Sequence, residues 1–380
     1  MARKRKHKKE SIKKHKRKYK KKDSGINTRG TGFKKEPYCV RETQIGIDIT
    51  KQTQNKQRNQ ISRRKFKMKK KMFALLMAAA MAGTMAMTVS AAGEKIALIT
   101  MDSIDQHWIS LNEGAQKAAE ELDAEVTFMS PNTKDDAQQI ECVNNAVAGG
   151  YQAILVAANG PDAISSALKE ASDAGVKIVY VDSPANVEAE ATFSTDNKAA
   201  GTTAGEEMIK ALEEKGITSG KIGIINVNAA TDSTVNREEG FRAAFDGTDF
   251  EIMETQYGEG DAAKSQTIAE NYITQGVVGI FGCNEGSTTG AGNAIKASGS
   301  SDIVGVGFDK SDAILNLISD GYLLATMAQN PDVMGYEGVK AAVAAIGGES
   351  LGGEVTDTGV SVVTADSLAG AEAETEAVTE

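Results

Sequence analysis

From Lys95 onward the chain repeats one pattern, a short apolar run followed by a longer stretch with apolar residues at helical spacing. KIALIT (95–100), EVTFM (125–129), AILVA (153–157) and KIVYVD (177–182) read as strands. After the first of them Leu111, Ala115, Ala118, Ala119 and Leu122 recur with the period of a helix. Helices are predicted at 134–148, closed by Gly149-Gly150, and at 162–174. The rhythm resumes with a helix over 199–215 that stops at Gly216. Strands follow at 221–227, 250–257, 277–284, 302–309 and 322–329, with helices at 236–246, 262–275, 286–298 and 332–346.

Unbroken apolar strands separated by helices imply parallel sheets covered on both faces. So many strands exceed one sheet of ordinary size, so the expected fold is α/β with two doubly wound lobes. The length of 380 residues supports two full cores.

The charge is divided along the chain. Of 43 Lys and Arg, 28 precede Ala92, together with only 5 of the 52 acidic residues. The body is left with 15 basic against 47 acidic residues, a net of -32. Such a body repels phosphate, so nucleic acid is excluded as its partner, and an uncharged or cationic ligand suits it. Cys39, Cys142 and Cys283 form no CxxC pair and no zinc pattern. No cofactor or metal is expected.

Residues 1–67 form a basic extension, expected to be disordered or not native. Met68 opens MKKKMFALLMAAAMAGTMAMTVSAAGEK, with a basic start, an apolar run and small residues ahead of Ala92. Residues 68–91 therefore read as a signal peptide, and export to the periplasm, cell envelope or exterior is expected. No cysteine stands near Ala91, so release without a lipid anchor is expected. The tail 367–380 is acidic and expected to be disordered.

In open α/β sheets a ligand sits beyond the carboxyl ends of the strands. Here those ends carry Asp102, Asp105, His107 and Trp108 after the first strand, then Asp182, Asn284, Asp309 and Gln329. Arg237 lies in the segment after KIGIINV. Carboxylates, guanidinium and amides pair with vicinal hydroxyls, and an aromatic ring walls the C–H face of a sugar. Taken singly, a residue like Trp108 is more often core packing and an aspartate like Asp182 or Asp309 more often a helix N-cap, and Arg237 could be a surface ion pair. Their shared position at strand ends favours one cleft.

At these residues the chain resembles the ribose-binding-like family of periplasmic sugar-binding proteins. The similarity runs from about Lys95 to Val363 and is carried by 96–119, VDSPA (181–185), STDNKAAG (194–201), NREEGF (236–241), VGFD (306–309) and ATMAQNPDVMG (325–335). The resemblance implies a type I periplasmic-binding fold with a three-strand hinge, crossing near Thr195-Asp196, Gln329-Asn330 and about Thr358. It implies an N-terminal lobe of 94–195 plus 330–357 and a C-terminal lobe of 196–329 plus 358–366. Asp105, His107, Trp108, Asp182, Arg237, Asn284, Asp309 and Gln329 are the implied ligand-binding residues, with His107 and Trp108 sandwiching a sugar. Ser183 stands where the ribose binder has an Arg, and Gly260 or Asp261 where it has a third aromatic. A pocket poorer in bulk and by one positive charge is expected, for a sugar or polyol other than plain ribose.

The implied function is a non-enzymatic, monomeric solute-binding protein that delivers a sugar to a membrane ABC permease. The same cleft would serve a receptor for chemotaxis or a sensor kinase. A lac-repressor-like regulator shares such a core, but residues 1–67 lack the apolar periodicity of a helix-turn-helix. GEGDAAKS (258–265) resembles a phosphate loop only superficially, since Ala263 precedes Lys264.

Overall fold

The computed structural model describes residues 93–370. The basic extension, the signal peptide read over 68–91 and the tail beyond residue 370 lie outside the described residues. The first half comprises β1 (Lys95–Ile99), α1 (Gln106–Leu122), β2 (Glu125–Phe128), α2 (Asp136–Ala148), β3 (Ala153–Val156), α3 (Pro161–Asp173), β4 (Lys177–Val181) and β5 (Ala191–Ser194). Then come α4 (Asn197–Glu214), β6 (Ser219–Asn226), α5 (Asp232–Ala244), β7 (Asp249–Ile252), β8 (Gln256–Tyr257), α6 (Ala262–Thr274), β9 (Val277–Gly282), α7 (Glu285–Ser298) and β10 (Val304–Phe308). The last elements are α8 (Asp312–Ser319), β11 (Ala325–Gln329), α9 (Pro331–Ile346), β12 (Glu354–Asp357) and β13 (Val360–Thr364).

These elements build two sheets. The first runs β12-β5-β4-β3-β1-β2, and every neighbouring pair is parallel. The second runs β13-β11-β10-β9-β6-β7, with β8 beside β6 and only β13 antiparallel. The chain changes sheet three times, between β5 and α4, between β11 and α9, and between β12 and β13. The fold is two doubly wound α/β lobes joined at three crossings.

Alternation along each strand sends neighbouring side chains to opposite faces. In lobe 1, Ile96 and Leu98 pack against Leu111 and Ala115 of α1 and Val339 and Ala342 of α9. Ala97 and Ile99 face Val143 of α2 and Ile164 and Leu168 of α3. Lobe 2 repeats the arrangement, with Ile224 toward α4 and α5 and Ile225 toward α6 and α7. Phe241 and Phe281 stack there with ring centroids 4.1 Å apart. Leu122, the last apolar residue in the α1 pattern, is 38% exposed and lies outside the core.

Some boundaries differ from the sequence reading. The stretch 250–257 is two strands, β7 against the start of β6 and β8 against its end. β5 and β12 have four residues each with polar residues interleaved, and β12 is wholly exposed, so no apolar run announces them. Residues 365–370 are helical, in place of the disordered tail expected from Ser367. Thr364 and Ser367 cap that turn reciprocally, each backbone N–H donating to the other's hydroxyl at 2.8 and 3.3 Å. The motif at 258–265 is a helix start, with the Asp261 carboxylate accepting from the Lys264 N–H at 2.8 Å. Cys142 and Cys283 are free thiols.

Candidate functional site

The carboxyl ends of β4 and β10 carry the same local device. Asp182 and Asp309 both sit in the left-handed region, at φ 64° and 75°. Such values are uncommon for any residue but glycine and mark a locally strained backbone. Each is held by the next strand. The Asp182 N–H donates to the Phe193 carbonyl of β5 at 2.8 Å, and the Ser194 hydroxyl donates to the Asp182 carbonyl. The Asp309 N–H donates to the Met327 carbonyl of β11 at 3.0 Å, and the Thr326 hydroxyl donates to the Asp309 carbonyl at 2.8 Å. The twist turns both carboxylates toward the gap between the sheets. Neither aspartate is the N-cap of the helix that follows it, since β4 leads into β5 and the N-cap of α8 is Ser311, but Asp309 Oδ2 accepts the Glu285 N–H at the start of α7 at 2.7 Å.

Arg237 is placed by close packing of α4 on α5. A methyl group on Gly240 would overlap the Lys198 carbonyl, and one on Gly201 the Arg237 carbonyl. The guanidinium is buried, at 2% exposure. Its Nε donates to Asn197 Oδ1 at 2.8 Å and its Nη1 to the Cys283 carbonyl at 3.0 Å. The Phe308 ring lies below it at 4.3 Å. Among the described residues Nη2 has no hydrogen-bond partner, and it lies 3.8 Å from Asp182 Oδ2. This rules out the surface ion pair that the sequence left open.

His107 stands between the two aspartates. Its Nε2 is 3.0 Å from Asp182 Oδ2, out of line for a hydrogen bond, and its Nδ1 is 3.5 Å from Asp309 Oδ1. The His107 and Trp108 rings meet edge to face, 4.6 Å apart at 86°. They touch directly and leave no parallel slot between them. Trp108 is also part of the lobe 1 core, and its buried Nε1 has no partner. Asn284 caps α7 through Oδ1, which accepts from the Ser287 N–H and hydroxyl. Gln329 donates to Asp309 Oδ1 at 2.6 Å and accepts from the Thr195 hydroxyl at 2.8 Å, tying two crossings together.

One cavity between the lobes is lined by all eight residues expected from the sequence, Asp105, His107, Trp108, Asp182, Arg237, Asn284, Asp309 and Gln329. Met101, Lys134, Val227, Ser233 and Thr234 complete its wall. Its volume is about 20 Å³, far below the roughly 300–1,000 Å³ of small-molecule pockets. The lobes are closed on each other. Ser183 and Ser233 hydroxyls meet across the gap at 2.7 Å, the Thr231 hydroxyl donates to the Asn159 carbonyl at 2.6 Å, and the His107 N–H donates to Glu285 at 3.1 Å. A larger groove of about 700 Å³ opens on lobe 1 near Tyr180, Glu188 and Gly352. It is walled by one lobe only and contains none of the eight residues above, so the interlobe cavity is the candidate site.

The electrostatics are those of a tight network. Burial works to raise the Asp182 carboxyl, but His107 and Arg237 outweigh it and hold it at about 2. Burial works to lower the His107 imidazole, but Asp309 and Asp182 raise it above its ordinary value. Burial, with the charges of Asp105 and Asp309, pushes Glu285 up to about 7.

Sequence reasoning missed Lys134, Glu285 and the serine pair. Lys134 bonds Asp102, and Asp105 at 2.8 Å. Lys134 thus brings a cation into the cavity wall from a loop outside the strand-end pattern, while Ser183 itself bonds Asp182 and Ser233.

Residues 96–350 match the periplasmic binding protein domain, and the chain belongs to that family, on its ribose-binding-like branch. The ribose import binding protein of Escherichia coli is 28% identical over 287 residues, covering 75% of this chain and 95% of the relative. A carbohydrate transporter solute-binding protein from Agrobacterium radiobacter, solved with D-arabinose, superposes with a TM-score of 0.71 at 28% identity, over 75% of this chain and 98% of that one. An ABC transporter solute-binding protein from Agrobacterium vitis with bound D-fucose gives 0.67 at 32% identity, over 71% and 94%. These relatives are binding proteins of sugar transport, not enzymes.

Proposed function

We propose that this chain is an exported, non-enzymatic solute-binding protein that closes its two lobes around a single sugar and hands it to a membrane ABC permease. The observation that carries this reading is the convergence of mirrored aspartates with unpaired donors. Asp182 and Asp309 bring acceptors from opposite lobes, and Arg237 Nη2 and Trp108 Nε1 bring buried donors without partners. Vicinal hydroxyls both donate and accept, so a sugar satisfies both sets at once. Related solute-binding proteins solved with D-arabinose and with D-fucose support the class of ligand.

Capture begins with an opening, because the closed cavity is too small for a sugar. The three crossings absorb the rotation. As the lobes part, the imidazole of His107 leaves Asp309, which lies on the other lobe. On closing, the ligand takes over the hydroxyl-binding faces of the carboxylates and pairs the free donors. Only the closed state offers both lobes' groups, so the ligand stabilises that state by its differential affinity. The closed surface is then the form that the permease receives.

The test is a panel of neutral sugars titrated into the full chain and read by fluorescence of Trp108, the single tryptophan. Asp309→Ala is expected to lower affinity about 30- to 150-fold, roughly 2–3 kcal/mol, because a hydroxyl and Gln329 are left unpaired in a buried site. Unchanged affinity in that variant would refute the assignment.

A further inference from the structure

We propose that Lys134 is a specificity-determining residue, giving the cleft one cationic wall in the place where a side chain at position 260 would otherwise stand. The inference rests on the sugar-binding reading and goes beyond it, since neither the strand-end pattern nor the family resemblance marks Lys134.

Lys134 lies in the loop between β2 and α2, one residue before the helix cap. Asp135 accepts from the Gln138 N–H at 2.8 Å, so the backbone beside Lys134 is fixed. The side chain is buried, at 7% exposure. Burying an ammonium is costly unless it is paired. Here it bonds the carboxylates of Asp102 and Asp105. Asp102 is itself held in place, accepting the Ile104 N–H at 2.7 Å and the Asp105 N–H at 3.1 Å. An ammonium has three donors, so one is left over after these two partners. Lys134 and Asp105 both line the cavity.

The far end of Lys134 crosses to lobe 2 and lies against Gly260. A methyl group built on Gly260 would stand 2.7 Å from Cδ and Cε and 2.9 Å from Nζ of Lys134. The backbone of Gly260 cannot retreat. Gly286, at the start of α7, packs so closely on the Gly260 carbonyl that a methyl there would overlap it. Gly260 also has φ 70°, which glycine adopts without strain. A bare residue at 260 and a long cation at 134 are therefore complementary. An aromatic ring at 260 and Lys134 in its present place exclude each other.

The consequence is chemical. This wall offers an ammonium and a carboxylate instead of an aromatic face, so it favours a ligand that presents a hydroxyl there. A site built to bond a hydroxyl discriminates strongly against an analogue lacking it. The contact spans both lobes and forms fully only on closure, so the selection acts on the closed state.

The experiment measures affinities of the full chain for D-ribose, D-allose, D-arabinose, D-galactose and D-fucose. D-galactose and D-fucose differ by one hydroxyl. Lys134→Met keeps the stem and removes the charge. It is expected to shift the ratio between the best and the other binding sugars by at least tenfold. Gly260→Asn is the second arm, because Asn tolerates positive φ and its Cβ must displace the lysine. It should reproduce the Lys134→Met ratios, and the double variant should add nothing further. An equal loss for every sugar, or no change, would overturn the proposal while leaving the sugar reading intact. No binding of any of these sugars to the unaltered chain would sink both.

Discussion

The two lobes aim an aspartate into the cleft by the same backbone device, yet they surround it differently. On lobe 1, the Asp182 carboxylate has beside it the Ser183 hydroxyl at 2.7 Å and the His107 ring at 3.0 Å and, among the described residues, no backbone N–H. On lobe 2, Asp309 is fastened by the Gln329 amide at 2.6 Å and the Glu285 backbone N–H at 2.7 Å. Lobe 2 also contributes the Arg237 clamp. The difference teaches that lobe 2 is a preorganised half-site, whereas lobe 1 carries the ring that must move. A fixed half recognises without reordering, and a movable half couples recognition to closure.

Removing the clamp should have the largest effect. Arg237→Ala deletes two buried hydrogen bonds and the charge beside Asp182, and is expected to cost about 3–5 kcal/mol of stability in denaturant unfolding. A loss under about 1 kcal/mol would contradict a preorganised lobe 2.

Glycine in place of either aspartate separates strain from function. Asp309→Gly and Asp182→Gly each relieve a positive φ, worth about 1–2 kcal/mol. Asp309→Gly also releases the Gln329 amide and the Glu285 N–H, whereas Asp182→Gly strips the buried Arg237 and His107 of the carboxylate they hold at about 2, so the Asp182 variant should be the less stable of the two. Sugar affinity should fall in both. Equal stabilities, read by thermal unfolding of the ligand-free chain, would erase the contrast between the lobes.

The smallest effect is the pH dependence of the ligand-free chain. His107 has its folded value raised, so its contribution is fully present below 6.5 and is lost as pH rises through that higher value. Glu285 acts in the same direction, its contribution fading between 4.5 and about 7. Asp182 has the opposite sign, but its window lies between 3.8 and about 2. The melting temperature should therefore fall as pH rises from about 5 through neutrality, and His107→Gln should flatten the part of that fall above 6.5. A flat profile in the unaltered chain would deny His107 its place between the carboxylates.

Much of this site was legible because strand ends in parallel sheets share one edge. Residues as distant as Asp105 and Gln329 could be assigned to it from their positions after apolar runs. Lys134 could not, because it follows a half-exposed strand and its partners stand about thirty residues away, joined only by folding. Nothing in the strand-end pattern marks Ser233, at the start of a weakly amphipathic helix, as the partner of Ser183.

Periodicity alone determined the two lobes, their parallel sheets and the residues at the sheet tips, since strand and helix spacing are local properties of a chain. Tertiary structure alone decided that His107 bridges the aspartates, that Trp108 meets it edge to face, and that Lys134 occupies the room beside Gly260. Those are contacts between segments far apart in the chain. They depend on how two packed lobes meet, which no local pattern encodes.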